Sequence, residues 1–203
     1  MMKEENKNLV KEPSTSYTGK YSYADYLTWQ LDEMVEIIKG KLFRMTAAPS
    51  RLHQRVAGKL YYHLYGFLKG NPCEVYIAPF DVRLPKASTR NEDIYTVVQP
   101  DICVICDKDK LDDAGCLGAP DLIVEVLSRG NNKKELQHKY DVYQESGVKE
   151  YWIIQPIEQT LLIYTLQNGR YVSSRLMTSG DVATASVLPG FSLDLEDFFK
   201  DMD

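Results

Sequence analysis

The sequence of 203 residues lacks long apolar runs, and no stretch approaches the ~18 residues that a membrane-spanning helix needs. Its polar, lysine-containing start also lacks the apolar segment of a secretory signal, so we expect a cytoplasmic protein without a membrane partner. The chain contains no Walker loop, no GxSxG elbow and no HExxH helix. These absences argue against P-loop hydrolases, α/β-hydrolases and zinc proteases.

Cysteine is scarce, and its spacing argues against a zinc site. The single C-x-x-C lies inside ICVIC, where a strand period of two sends Cys103 and Cys106 to opposite faces. No second C-x-x-C or H-x-x-x-H completes a ligand set. We expect the four cysteines to be small buried hydrophobes, with a redox role as the alternative.

The net charge of −5 gives the chain no general electrostatic attraction to nucleic acid. A local patch or a bound divalent metal could reverse this sign. The segment 129–139 contains Arg129, Lys133, Lys134 and Lys139. A solvated helix face is the alternative explanation for most of these cations.

The composition, 44% hydrophobic and 26% charged, is ordinary for a globular protein. We expect a flexible polar tail over residues 1–16 and a single domain over 17–203. Strand patterns outnumber helical ones, and they predict an α/β fold with a buried central sheet, at least two covering helices and added β-hairpins. The predicted segments are helices near 23–30, 51–68 and 132–146, strands in MVEIIKGKLFRM, EVYIAPFDVRLP, VVQPDICVIC, PDLIVEVLS and VKEYWIIQP, a hairpin around Asn168-Gly169, and a closing strand or short helix, FSLDLEDFF.

The helix over 51–68 carries two histidines in or beside its apolar stripe. We interpret His63 as a core residue. His53 lies in the first turn, where a site is more accessible, and both a core role and a site role remain open for it.

A carboxylate stands in the middle of PDLIVEVLS, a strand whose neighbouring side chains are apolar on both faces. Burying Glu125 unpaired would cost several kcal/mol, roughly, so a cation, a metal or a proton must accompany it. Asp101 has the same problem in VVQPDICVIC. If these two strands pair, Asp101 and Glu125 can converge on one divalent cation such as Mg²⁺.

The helix after Glu125 supplies a third candidate. Leu136, Tyr140 and Tyr143 define its apolar face, and Lys139 falls inside that stripe instead of on the solvent side with His138. A snorkelling side chain or a plain ion pair is the structural alternative. Two carboxylates that hold a metal beside a lysine suit phosphodiester hydrolysis.

The chain resembles the Uma-type putative restriction endonuclease family of the PD-(D/E)XK nuclease superfamily. The resemblance covers roughly residues 20–200 and rests on Gln99-Pro100-Asp101, GAPDLIVEVLS, Lys139 followed by Tyr143, and GVKEYWIIQP, with EIIKGKL and His53 upstream. It implies a restriction endonuclease-like mixed sheet flanked by helices and a Mg²⁺-dependent endonuclease that cleaves DNA, with Mn²⁺ as a possible substitute.

The resemblance also implies an active site of Asp101, Glu125 and Lys139. The usual superfamily lysine lies two residues after the second acid, where this chain has Leu127, and the following helix is its expected location here. The carbonyl of Val126 is a further implied metal ligand, and Glu36 and His53 match positions near the site. The family's Ser-Pro-Ser-Thr is Ser128-Arg129-Gly130-Asn131 here, and Glu135 replaces an aspartate.

Two other functions remain open at this point. An inactive nuclease-like domain that binds DNA or a partner would retain these residues as a buried ion-pair network. A glycosidase with Asp101 and Glu125 as paired carboxylates is less consistent with an inward lysine. Homodimerisation would suit cleavage of both strands of a duplex.

Overall fold

The computed structural model describes residues 19–30, 34–44, 49–128 and 133–202, without the side chains of 133–135. The predicted tail, residues 1–16, lies outside these ranges. The described helices are α1 (Tyr23–Tyr26), α2 (Arg51–Leu68), α3 (Lys133–Ser146) and α4 (Leu195–Phe199). The described strands are β1 (Val35–Ile38), β2 (Lys41–Arg44), β3 (Glu74–Ile77), β4 (Val82–Arg83), β5 (Val97–Val98), β6 (Ile102–Ile105), β7 (Leu111–Asp112), β8 (Gly115–Leu117), β9 (Leu122–Val126), β10 (Glu150–Gln155), β11 (Thr160–Gln167), β12 (Arg170–Ser173), β13 (Val182–Thr184) and β14 (Ser192–Asp194).

The central sheet has six strands in the order β12-β11-β10-β9-β6-β3. Its β9–β10 pair is parallel and is connected through α3, while its other pairs are antiparallel. A second sheet, in the order β2-β1-β5-β4-β8-β7, is built mainly from the N-terminal half of the chain. The predicted mixed α/β fold with added hairpins is therefore confirmed.

Both faces of the central sheet are buried. One face packs against α2, α4 and the β13–β14 pair around Trp152 and Phe198. The other face packs against α3 and the N-terminal sheet around Tyr143 and Tyr151. Every residue of β9 is buried, as the apolar pattern of this strand predicted.

Local sequence signals explain several element boundaries. The Ser50 hydroxyl accepts a hydrogen bond from the His53 N–H and caps the start of α2. Gly147 ends α3 with a φ of +86°, which glycine adopts without strain. Asn168 and Gly169 both have positive φ, as a tight hairpin turn between β11 and β12 requires. Among the described helices, none is long and apolar enough to cross a membrane.

The predictions of two continuous strands were wrong, because each segment is divided between the two sheets. EVYIAPFDVRLP forms β3 in the central sheet and β4 in the second sheet, and VVQPDICVIC forms β5 and β6 in the same way. Each break contains a proline, Pro79 or Pro100, which has no N–H to donate to a β-ladder. The short β7–β8 hairpin lies in the connection between β6 and β9.

The prediction for the cysteines was wrong for one pair. Cys73 and Cys106 form a disulfide, because the β3–β6 register places the residues that precede β3 and follow β6 opposite each other. Cys103 and Cys116 are free and buried, as predicted. The strand pairing that brings the first two together was not visible in the cysteine spacing.

Candidate active site

The two candidate acids meet across a pair of strands. β6 and β9 are antiparallel, and their register, with Ile102 opposite Val124, brings Asp101 beside Glu125. Oδ2 of Asp101 accepts a hydrogen bond of 2.7 Å from the backbone N–H of Val126. The pairing of these two strands was predicted from the sequence.

Lys139 of α3 lies between two buried carboxylates. Its Nζ is 2.9 Å from Oε1 of Glu125 and 3.0 Å from Oε1 of Glu36, which belongs to β1 in the second sheet. The exposed fractions are 4% for Lys139, 7% for Glu125 and 1% for Glu36. The structure therefore directs this lysine inward, on the side of α3 that the apolar stripe indicated.

The electrostatics of this cluster follow from its burial. Burial raises the pKa of Glu125 to about 7, although the nearby Lys139 ammonium favours the ionised form. Burial also opposes the charge on Lys139, but the negative charges of Glu125 and Glu36 outweigh it and raise the lysine pKa well above its usual value. Lys139 is thus held as a cation.

Each acid keeps one oxygen that no hydrogen bond within the described chain occupies. Glu125 receives Lys139 and the Tyr143 hydroxyl on Oε1, and Asp101 receives its partners on Oδ2. The side chains of Glu125 and Asp101 are 9% and 15% exposed, so neither carboxylate is fully enclosed by the described residues. Oε2 of Glu125 and Oδ1 of Asp101 can accept a hydrogen bond or bind a hard cation.

His53 extends the cluster from the first turn of α2. Its Nε2 lies 3.2 Å from Oδ2 of Asp101. Burial acts to lower the pKa of His53, but the hydrogen bond to Asp101, the charges of Asp101 and Glu125 and the backbone of Val126 raise it overall. His63 lies further along α2 and contacts the ring of Phe198 instead.

Two contacts of the cluster were not anticipated from the sequence. The hydroxyl of Tyr143 donates to Oε1 of Glu125 at 2.7 Å, and the backbone N–H of Gln99 donates to Oε1 of Glu36 at 2.8 Å. Tyr143 follows Lys139 by four residues, so its position on the same helix face was a usable signal. No side-chain pattern could reveal the backbone donor of Gln99.

The expected solvent position of His138 was wrong. This side chain is partly buried, and its ring packs edge-on against Phe43 of β2, which covers this part of α3. Several predicted features lie outside the described residues: Arg129-Gly130-Asn131, which depart from the family pattern, and the side chains of Lys133, Lys134 and Glu135.

The donor set permits a divalent metal but does not enclose one. Across the described ranges, no group of three or more histidine, cysteine, aspartate or glutamate side chains is arranged to hold a metal ion. The carboxylate oxygens of Asp101 and Glu125, with the adjoining carbonyl of Val126, are nevertheless hard ligands of the kind that Mg²⁺ prefers. Mg²⁺ commonly binds through one or two carboxylates and retains several waters, which this open arrangement allows.

Comparison with known protein families shows which family the chain belongs to. Residues 23–196 match the Uma2 family model, described as "Putative restriction endonuclease". The chain belongs to the Uma2 family. This range contains all of the site residues predicted from the sequence.

A solved structure supports the fold of this Uma2 member. The crystal structure of a putative nuclease belonging to DUF820 from Anabaena variabilis matches with a TM-score of 0.67. The sequences are 18% identical, and the match covers 88% of this chain and 97% of that one. No curated protein matches the sequence. At this identity, the likeness establishes a common fold.

Proposed function

We propose that this protein is a Mg²⁺-dependent endonuclease that hydrolyses phosphodiester bonds in DNA. The observation that carries the proposal is the meeting of Asp101 and Glu125, each with one oxygen that no hydrogen bond within the described chain occupies, beside the buried ammonium of Lys139. Membership of a family described as restriction endonucleases supports a nuclease with a DNA substrate.

Asp101, Glu125 and the carbonyl of Val126 would hold Mg²⁺, and Mn²⁺ could replace it, because all three offer oxygen ligands. When bound, such an ion lowers the pKa of a coordinated water and stabilises negative charge on the phosphate. The chain supplies the fixed positions of these oxygens through the β6–β9 pair.

The other site residues orient these groups. Lys139 donates from a fixed ammonium, which suits it to position the attacking water and to stabilise developing charge on the phosphate. Glu36 accepts hydrogen bonds from Lys139 and from the Gln99 N–H, and so fixes the lysine. His53 lies against Oδ2 of Asp101, so Oδ1 would be the oxygen that binds the ion.

We further propose a homodimer. A two-fold axis would present one site to each strand of a duplex, whose backbone symmetry is also two-fold.

Plasmid cleavage tests the nuclease proposal. With Mg²⁺, we expect the wild type to nick or linearise supercoiled DNA, and Asp101→Asn and Glu125→Ala to lose at least about 100-fold in rate, since metal-assisted charge stabilisation contributes several kcal/mol. Glu74→Gln is the matched control, because Glu74 is a partly exposed acid on β3 that pairs with Lys108. Cleavage that survives Glu125→Ala would contradict the mechanism.

An inactive nuclease-like module, which binds DNA or a partner, is the second candidate. The Glu36–Lys139–Glu125 bridge favours it, because this ion-pair network is complete without a metal. In that case Mg²⁺ would leave the melting temperature unchanged, and Glu125→Gln would raise it by removing a buried charge. A stabilising shift with Mg²⁺ that depends on Glu125 would favour the nuclease.

A further inference from the structure

A groove of about 910 Å³ borders the candidate active site on the α3 side of the central sheet. Ile153 of β10 lines it, and the β9–β10 register places this residue directly beside Glu125. Leu127 and Ser128, which follow the proposed metal-binding segment, form another part of the lining. Two residues along a strand span about 6.6 Å, so the groove begins within the reach of one nucleotide from the site.

The lining of the groove is aromatic and apolar with few charges. Tyr140, which follows Lys139 on α3, contributes to it together with Tyr164 of β11, and their rings meet edge to face at 5.0 Å. Both tyrosines are only partly buried. Among the described residues, Glu158 is the one acidic side chain of the lining, and no lysine or arginine belongs to it. The described part of the lining is therefore suited to contact an aromatic group.

Two amide side chains complete the lining, Gln137 of α3 and Gln155 of β10. The amide of Gln155 makes no hydrogen bond to the described residues and is partly exposed. An amide offers both a donor and an acceptor, which is the pattern that base edges also present. Leu127 stands where the usual superfamily lysine would be, so the groove keeps an apolar residue next to the site.

We propose that this groove binds one unpaired nucleobase of the nucleic acid whose phosphate lies at Asp101 and Glu125. The base stacks against Tyr140, and Gln155 contacts its edge. The substrate is accordingly DNA with a single-stranded or extruded base beside the cleaved bond. This inference rests on the proposed nuclease function and specifies its substrate class.

Oligonucleotide binding to the full chain carrying Glu125→Gln, which prevents turnover, provides the test. The probe is a single-stranded DNA 12-mer with a fluorescein label for anisotropy and one 2-aminopurine, which loses fluorescence when it stacks. We expect quenching at one nucleotide position on binding. Adding Tyr140→Leu should abolish this quenching and weaken binding about 10-fold, the size of one lost base–aromatic stack.

Three further measurements make the result specific to the groove. An abasic nucleotide at the quenched position should weaken binding about as much as Tyr140→Leu, and the two changes together should cost no more than either one. Gln155→Ala, which removes only a partly exposed amide, should weaken binding to one base more than to the others. Tyr62→Leu is the matched control, because Tyr62 is a 73% exposed tyrosine on α2 outside the groove.

The groove proposal and the nuclease proposal fail in different ways. Unchanged quenching and affinity in both Tyr140→Leu and Gln155→Ala would overturn the groove proposal alone. Plasmid cleavage would then still depend on Glu125. Absence of any oligonucleotide binding together with absence of Mg²⁺-dependent cleavage would overturn both.

Discussion

Two buried glutamates lie on neighbouring strands of the central sheet, and their surroundings differ. In Glu150 on β10, Oε1 accepts a hydrogen bond from the Trp152 indole N–H at 2.6 Å, and Oε2 accepts from the N–H of Ser186 at 2.8 Å and from its hydroxyl. In Glu125 on β9, Oε1 accepts from Lys139 and from the Tyr143 hydroxyl, and no hydrogen bond within the described chain occupies Oε2. A carboxylate whose oxygens are both occupied by neutral donors stabilises the fold, whereas one with an unoccupied oxygen beside a cation can act on a ligand.

Replacing Lys139, the cation beside Glu125, should have the largest effect on the free energy of unfolding. Lys139→Met leaves Glu36 and Glu125 close together in a buried place, and we expect it to lower the free energy of unfolding by about 3–5 kcal/mol at pH 8. Lys108→Met, which breaks an exposed pair with Glu74, should cost less than about 1 kcal/mol. Urea unfolding monitored by circular dichroism measures both.

The loss in Lys139→Met should also depend on pH. Without the ammonium, the pKa of Glu125 rises further above its unfolded value, because burial and the neighbouring acids raise it and the largest influence that lowers it is gone. When the pKa of a carboxyl group is higher in the folded than in the unfolded state, the free energy of unfolding of the protein falls as the pH rises through the folded-state pKa. We therefore expect a smaller loss at pH 5.5 than at pH 8, and a loss independent of pH would contradict the role given to the ammonium.

Replacing Glu150, whose two carboxylate oxygens both accept hydrogen bonds, tests whether this glutamate only stabilises the fold. Glu150→Ala leaves the fully buried Trp152 indole N–H without its acceptor and also removes the hydrogen bonds from the N–H and hydroxyl of Ser186, which is exposed. We expect a loss of about 3 kcal/mol in the free energy of unfolding. The rate of plasmid cleavage per folded molecule, measured at low temperature, should not change. A specific loss of cleavage would mean that Glu150 also belongs to the site.

A single hydroxyl provides the smallest test. Tyr143→Phe removes one hydrogen bond from Oε1 of Glu125, and Tyr171→Phe removes one from the carbonyl of Val148 at 3.0 Å. Both should lower the free energy of unfolding by about 1 kcal/mol. Only Tyr143→Phe should also reduce cleavage, by about 10-fold, because it alters the orientation of a proposed metal ligand. Equal activity of the two variants would make Tyr143 structural.

Glu125 and Glu150 also differ in how far the sequence could predict their surroundings. The apolar neighbours of Glu125 and the stripe around Lys139 indicated a buried acid and an inward lysine, because both follow from the period of one element. Glu150 stands in an equally apolar strand, but its partner Ser186 comes 36 residues later. Spacing within a strand could not distinguish the two acids.

The division of strands between two sheets was also outside the reach of local patterns. Asp81 and Gln99 lie in the segments that connect the sheets, and the Gln99 amide donates to Oδ1 of Asp81 at 2.8 Å. Glu36 reaches Lys139 only because the second sheet packs on α3. Such contacts depend on how sheets are arranged in space, whereas periodicity specifies single elements.

The proposed mechanism requires a divalent ion at Asp101 and Glu125, and calorimetric titration with Mn²⁺ tests this requirement most directly. We predict about one ion bound per chain in the wild type and in Tyr171→Phe, and no measurable binding in Glu125→Gln or Asp101→Asn. Equal binding heats in the wild type and in both site variants would place the ion elsewhere and contradict the account.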